Sequence, residues 1–398
     1  MTINKPFSIL RLISFSLVFF LGLYLTFHQI FTIRNLHIIP NTFNFASDTQ
    51  QHLELLKKFF QHQTYIPHPL WHILVKVTSI TFHISVEYAS ILVSSCLLLI
   101  WYILIYYTVK LFLDKVFINI SDIKKETIFL VISLSIFTIG PFVFSPYSHL
   151  IYKGVGSPNI WHNVTLWTVK PFALLSMLFA IWGLQKQKIS YYIYALVATI
   201  LSIFAKPSFI LIFLPSILLL SIDRSYLKKS HKYFLLSLTL ISVLILSYQY
   251  LHHYGHTPSS KIIIDIFGVW SLSSQNIFIS ILLAIAFPLT FYILYPKSIK
   301  NDFILLSWLQ LLFGIILYAL FAQTGSHYGH GNFGWSYRIA LSMLYLFSII
   351  EFSKEFFRLT LWRKVILLTI LLYQVFVGIY YLIHILMGQN PIYIGIFL

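Results

Sequence analysis

The chain has 398 residues, 58% of them hydrophobic and only 10% charged, with 27 lysines and arginines against 11 acids. Soluble domains carry about a quarter charged residues, so this composition, with a mean hydropathy of +0.83, excludes one. The net charge of +16 is scattered through short loops, which points to membrane orientation and anionic headgroups and away from nucleic acid.

Apolar runs of roughly 20 residues recur along the chain, each long enough to cross about 30 Å of hydrocarbon as a helix. They are continuous rather than alternating, which excludes a β-barrel. No internal repeat of the kind found in many secondary transporters is present. Cys96 stands alone in an apolar run, so there is neither a disulfide framework nor a thiolate metal site.

In chain order the predicted spans are 10–33, 88–113, 127–146, 164–184, 190–205, 208–222, 233–251, 275–295, 303–322, 336–352 and 365–387. The first follows Lys5 and Arg11 and lacks a small-residue cleavage site, so it reads as an uncleaved span. A shorter stretch, 68–84, is apolar but holds His68, His72, Lys76 and His83. If it does not cross and the N-terminus is cytoplasmic, basic clusters such as Lys124/Lys125, Lys186/Lys188, Lys228/Lys229/Lys232 and Arg363/Lys364 share the cytoplasmic side. The outer loops then keep only Arg34, Lys57, Lys58, Lys153 and Lys261. Letting 68–84 cross moves Lys186/Lys188 and Arg224 to Lys232 outside, against the positive-inside bias. The stretch therefore reads as a re-entrant segment buried in protein. The expected fold is a single all-α transmembrane domain over 1–398, with about eleven spans and a long first outer loop over 34–87.

The outer face then owns 34–87, 147–163, the turn near Lys206, 252–273 and 323–335. These segments are rich in Gly, His, Trp, Asn and Pro, as functional loops on a rigid scaffold are. Of the acids, only Asp48, Glu54, Glu87 and Asp265 fall there. Asp48 precedes Leu53, Leu56, Phe59 and Phe60, whose spacing predicts a short amphipathic helix lying on the membrane surface. His52 lies four residues on and shares a helical face with Asp48, where it can orient the carboxylate or lend it positive charge. The alternative is that Asp48 merely caps this helix.

A long first outer loop with an early Asp, a surface helix and a Pro69-Leu70-Trp71-His72 run resembles the GT-C superfamily of membrane glycosyltransferases. The resemblance covers the topology and the N-terminal half. It implies a polyprenyl-phosphate sugar as donor, a glycan, lipid or protein acceptor, and Asp48 as catalytic base. A second acid beside the first is common in that superfamily, whereas Ser47 and Thr49 flank Asp48 here. His52 joins Asp48 as a catalytic candidate, and His68, Trp71 and His72 as substrate-binding candidates.

The second outer loop offers Asn159, Trp161, His162 and Asn163, suited to stacking on and hydrogen-bonding a sugar or phosphate. The span after it begins outside, so its N-terminus is an anion site. Lys170 lies about 10 Å further in and reads either as functional or as snorkelling. Trp161 reads alternatively as an interfacial anchor. Lys206, before Pro207, reads as snorkelling. The glycine-rich loop 323–335 contributes Asn332 and Trp335, and Arg338 enters the next span near its N-terminus. A guanidinium is disfavoured there and would gain from a phosphate. Its rival is a structural ion pair. His252, His253, His256, His327, His330 and Asp265 do not make a metal-ligand pattern, so neither metal nor cofactor is expected.

The expected function is inverting sugar transfer on the extracytoplasmic face of a bacterial cytoplasmic membrane, in cell-envelope polysaccharide or glycolipid synthesis. Three alternatives stay open: an O-antigen-type polymerase relying on Arg338, a flippase for lipid-linked saccharides, and an acyltransferase with a histidine base.

Overall fold

A computed structural model describes residues 5–32, 48–61, 65–118, 120–143, 151–222, 228–255 and 261–387. Arg34, Ser47, Arg224 and His256 lie outside these residues, as do the side chains of Lys5, His253 and His327. The described chain is all-α apart from one two-stranded ribbon.

The helices are α1 (Lys5–Phe27), α2 (Thr49–Phe60), α3 (Leu70–Phe82), α4 (Val86–Leu113), α5 (Asp122–Thr138), α6 (Val164–Lys186), α7 (Ile189–Ala205) and α8 (Ile210–Ile222). There follow α9 (Lys229–Gly255), the single turn α10 (Gly268–Ser271), α11 (Ile277–Ala284), α12 (Ala286–Leu294), α13 (Asp302–Leu320), α14 (Gly334–Glu355) and α15 (Leu361–Leu386). Strands β1 (Ile262–Ile264) and β2 (Phe321–Gln323) pair antiparallel, with Ile263 opposite Ala322.

Among the described residues, seven helices are long and apolar enough to cross a membrane: α1, α4, α6, α9, α13, α14 and α15. The α11–α12 pair, bent by 69°, makes an eighth if it is one span. The other three predicted spans are shorter helices, with 17 residues in α5, 17 in α7 and 13 in α8. The stretch 68–84 forms α3, whose 13 residues reach about 20 Å, short of the hydrocarbon thickness.

The bundle is arranged around α14 and α6, whose apolar windows are 94% and 83% buried, whereas α1 and α9 bury only 22% and form the rim. The rim helices show their leucines and aromatics outward, Leu17, Phe20, Leu240 and Leu244 among them, as lipid-facing helices do. The central helices are the more polar. Ser336, Arg338, Ser342 and Ser348 all lie buried on α14. Hydroxyls inside the bundle mostly return to the carbonyl one turn back, as in Ser133–Phe129, Thr168–Val164 and Ser216–Ile212. That satisfies them where water is absent. Where α15 meets the end of α5, Gly140 faces Gly378 backbone to backbone, and Gly140 N donates to Gln374 O at 2.9 Å. Small residues at such crossings are what permit close helix approach in lipid.

The two ends of the bundle differ chemically. The 23 residues of α6 separate Asn163 from Gln185 by roughly 30 Å. At the Gln185 end Arg11 pairs with Glu126 (2.9 Å) and Lys354 with Glu351 (3.0 Å), and the Gln185 amide donates to Asp302 (3.0 Å). At the Asn163 end all five segments predicted to share a face come together. Asp48 N donates to His162 O (3.0 Å), Lys206 reaches Thr165, Lys153 reaches Gly329 O (3.1 Å), and Trp270 Nε1 donates to Gly154 O (2.8 Å).

Candidate functional site

Asp48 is held at three points. Its amide donates to His162 O. The next residue, Thr49, donates through Oγ1 to Gln29 Oε1 (3.3 Å), and Gln29 Nε2 donates to Trp161 O (2.7 Å). Its carboxylate Oδ2 accepts a short hydrogen bond from Asn163 Nδ2. Asp48 occupies the N-cap position of α2 yet makes no side-chain cap bond. The capping role is thus not the one its carboxylate performs, because that group is turned toward the second loop.

The expected Asp48–His52 partnership is not what forms. His52 Nδ1 faces His72 Nε2 at 3.2 Å, and His52 meets Asp48 through its backbone amide, which donates to Asp48 O at 3.1 Å. Burial, with His72, His68 and Lys206 nearby, holds His52 well below the ordinary histidine range. It is neutral and lends Asp48 no positive charge.

Positive charge comes instead from lysines. Lys206 ends α7 because Pro207 forces the preceding residue extended, here φ −168° and ψ 120°. Its side chain is 7% exposed, donates to Thr165 Oγ1 at 2.9 Å and lies 4.6 Å from the Trp335 ring centroid. Burial lowers it to about 8, with Arg338 adding to that effect and Asp48 opposing it. Lys153 is lowered by burial and by Arg338, and raised by Asp48. Arg338 is buried, with its guanidinium 5.1 Å from the Trp335 centroid, 5.4 Å from that of Tyr318 and hydrogen-bonded to the Tyr318 hydroxyl. Gly334, one turn before it, leaves room: a Cβ there would meet Arg338 Nη1 at 2.5 Å. Burial pushes Asp48 above the ordinary carboxylate value, while Lys206, Asn163 and Lys153 pull it back. The cluster therefore sets two lysines on one half-buried carboxylate, with Arg338 acting on both lysines, an excess of positive charge that attracts a further anion.

The second loop lies along α14. Gly156 (φ +94°) makes the turn, and a Cβ there would strike the Tyr337 ring. The Tyr337 hydroxyl donates to Val155 O at 3.1 Å. His162 Nδ1 lies 3.0 Å from the Tyr381 hydroxyl, and burial, with Arg338, Lys153 and Lys206 around it, lowers it to about 3. It too is neutral.

Other predicted site residues serve the scaffold. Lys170 is buried and donates to Pro158 O (2.8 Å) and Asn159 Oδ1 (3.1 Å), with its charge 5.5 Å from the Trp101 centroid. Its two oxygen partners belong to the protein, so it pins the second loop and does not snorkel. Asn159 spends Nδ2 on Ile136 O and Ile139 O. Trp161 is buried edge-on to Phe137 and presents neither a sugar-stacking face nor an interfacial anchor. Trp71 is buried and donates to Ser94 Oγ (3.1 Å), joining α3 to α4. His72 is fully buried against His52, and His68 is half-buried beside the same pair. Asn332 is exposed and donates to Gln323. Asp265 accepts from the Tyr328 hydroxyl at 2.6 Å.

Sequence reasoning does not place Lys153, Thr165 or Tyr318 at this site and reads Lys206 as a snorkelling lysine. The signal for Lys206 was present, a lysine at the edge of an apolar run on the same side as Asp48. Thr165 and Tyr318 carry no such mark. Comparison with protein-family models, curated proteins and solved structures returns no match for this chain.

Proposed function

We propose that the protein is a membrane glycosyltransferase that moves a sugar from a polyprenyl-phosphate donor to an acceptor hydroxyl at the extracytoplasmic face of a bacterial cytoplasmic membrane. The observation that carries this reading is a half-buried carboxylate under the influence of Lys153 and Lys206, with the buried Arg338 acting on both lysines, at one end of an apolar bundle. Asp48 takes the proton of the acceptor hydroxyl, and the acceptor oxygen attacks the sugar C1. The bond from C1 to the phosphate oxygen breaks, and polyprenyl phosphate leaves.

Charge is conserved within the site during this step. The carboxylate is neutralised as the phosphate goes from diester to monoester, so the cations that stabilised Asp48 are free to stabilise the leaving group. A phosphate needs no protonation to leave, so one base suffices where a glycosidase uses two carboxyl groups.

The test is release of polyprenyl phosphate by purified protein. Asp48→Asn lowers release by about a hundred- to ten-thousand-fold, the usual worth of a general base, while donor still binds. Undiminished release from folded Asp48→Asn overturns the assignment. If Arg338→Ala instead abolishes polymer formation while Asp48→Asn preserves it, the protein is a polymerase. Donor transfer between leaflets without bond cleavage identifies a flippase.

A further inference from the structure

A continuous chain of hydrogen bonds runs from Lys206 to Asp48. An ammonium only donates, so the Thr165 hydroxyl must accept from Lys206 Nζ (2.9 Å) and give its own hydrogen to Asn163 Oδ1 (2.9 Å). Asn163 Oδ1 also accepts from Leu166 N at 2.8 Å. With its oxygen doubly engaged, the Asn163 amide must turn its nitrogen outward, and Nδ2 donates to Asp48 Oδ2. Thr165 is fully buried and Asn163 is 2% exposed, so water does not substitute for either. Every bond in the chain points the same way, from the cation to the carboxylate, and such chains polarise one another.

We propose that Asn163 and Thr165 are positioning residues that couple the charge of Lys206 to Asp48 and leave Oδ1 as the oxygen that accepts the acceptor's proton. This rests on the reading of Asp48 as the base. Oδ2 is occupied by the Asn163 amide, so a proton arriving there would have to displace that bond. The groups that act on Asp48 from the packed elements are Lys206 in the turn after α7, Lys153 in the second loop and the Asn163 amide. Arg338 on α14 acts on both lysines, and His52 and His162 are neutral.

Asn163 also caps α6, so its removal would confound folding with coupling. Thr165→Val keeps the shape and cuts the chain, and Thr165→Ser restores it. Two readouts apply to the full-length protein in nanodiscs. The first is the infrared titration of the Asp48 carboxylate, taken as the difference from Asp48→Asn. The second is the pH dependence of polyprenyl-phosphate release.

Thr165→Val moves the Asp48 titration upward by about one pH unit, the size expected on weakening a nearby positive partner. The acidic limb of release moves with it, so the rate on that limb falls about tenfold while the plateau is kept. Thr165→Ser behaves as the parent chain. Lys206→Met shifts the titration in the same direction, and adding Thr165→Val to it shifts it no further. A Thr165→Val protein that melts like the parent and leaves the titration unmoved overturns the inference, as do additive shifts. If the titration shifts but no variant, nor the parent, releases polyprenyl phosphate, the coupling stands and the transferase reading falls.

Discussion

Asp48 is caught between burial, which disfavours its charge, and two lysines and an amide that favour it. If Asp48 is the base of the proposed transfer, it must be ionised to accept a proton, and transfer is expected to be lost as pH falls through its pKa, which lies above its ordinary value of 3.8. On the alkaline side Lys206 loses its charge as pH rises through about 8, and with it the attraction for the donor phosphate. The expected pH–rate profile is a bell with its acidic limb above the usual carboxylate range and its alkaline limb near 8. Initial rates of polyprenyl-phosphate release across pH check this. In Lys206→Met the alkaline limb at 8 disappears and the acidic limb moves up. A profile still falling near 8 in that variant assigns the limb to another group.

Two elements carry the site, and both depend on local chemistry that the chain states openly. Pro207 ends α7 and sets the Lys206 backbone, and Gly156 permits the turn that lays the second loop against Tyr337. Other elements depend on contact between distant helices. A Cβ on Gly378 would overlap the Thr138 carbonyl oxygen and approach Gly140 N at 2.5 Å, so Gly378→Val cannot be accommodated without moving α15 away from α5. Overpacking of this kind costs about 1–3 kcal/mol. The expected outcome is a lower melting temperature and reduced yield in detergent, with Asp48 ionisation unchanged in the protein that folds. Thermal unfolding of purified Gly378→Val checks it, and a melting temperature equal to the parent's would show that the crossing is loose. Lys170 shows why sequence spacing alone does not reveal such contacts. From sequence it is an isolated cation in a span. Its partners, Pro158 O and Asn159 Oδ1, become visible only when the second loop folds back over α6.

Across the whole molecule, charge separates along the bundle axis. One end carries most of the basic residues, with ion pairs at Arg11–Glu126 and Lys354–Glu351, and the other carries fewer, with Lys153 and Lys206 acting on Asp48. If the N-terminus is cytoplasmic, as the positive-inside bias implies, the Asp48 end faces outward. In a Cys96→Ser background, a cysteine at exposed His330 is expected to react with a membrane-impermeant maleimide on intact cells, and one at exposed Lys300 only after lysis. The reverse pattern would put the site on the cytoplasmic side and exclude extracytoplasmic chemistry.

Hydropathy and charge are properties of contiguous residues. The sequence alone therefore determined that this is an α-helical membrane protein, which segments share an end of the bundle, and that Asp48 sits at that end. It could not determine the partners within that end. Asn163 meets Asp48 across 115 positions, Lys206 meets Thr165 across 41, and Lys153 meets Gly329 across 176. Hydrogen bonds and desolvation depend on distances of a few ångströms that only packing creates. For that reason His52, four residues from Asp48, turned to His72, while Lys206, at the far end of α7, acts on the carboxylate through its charge.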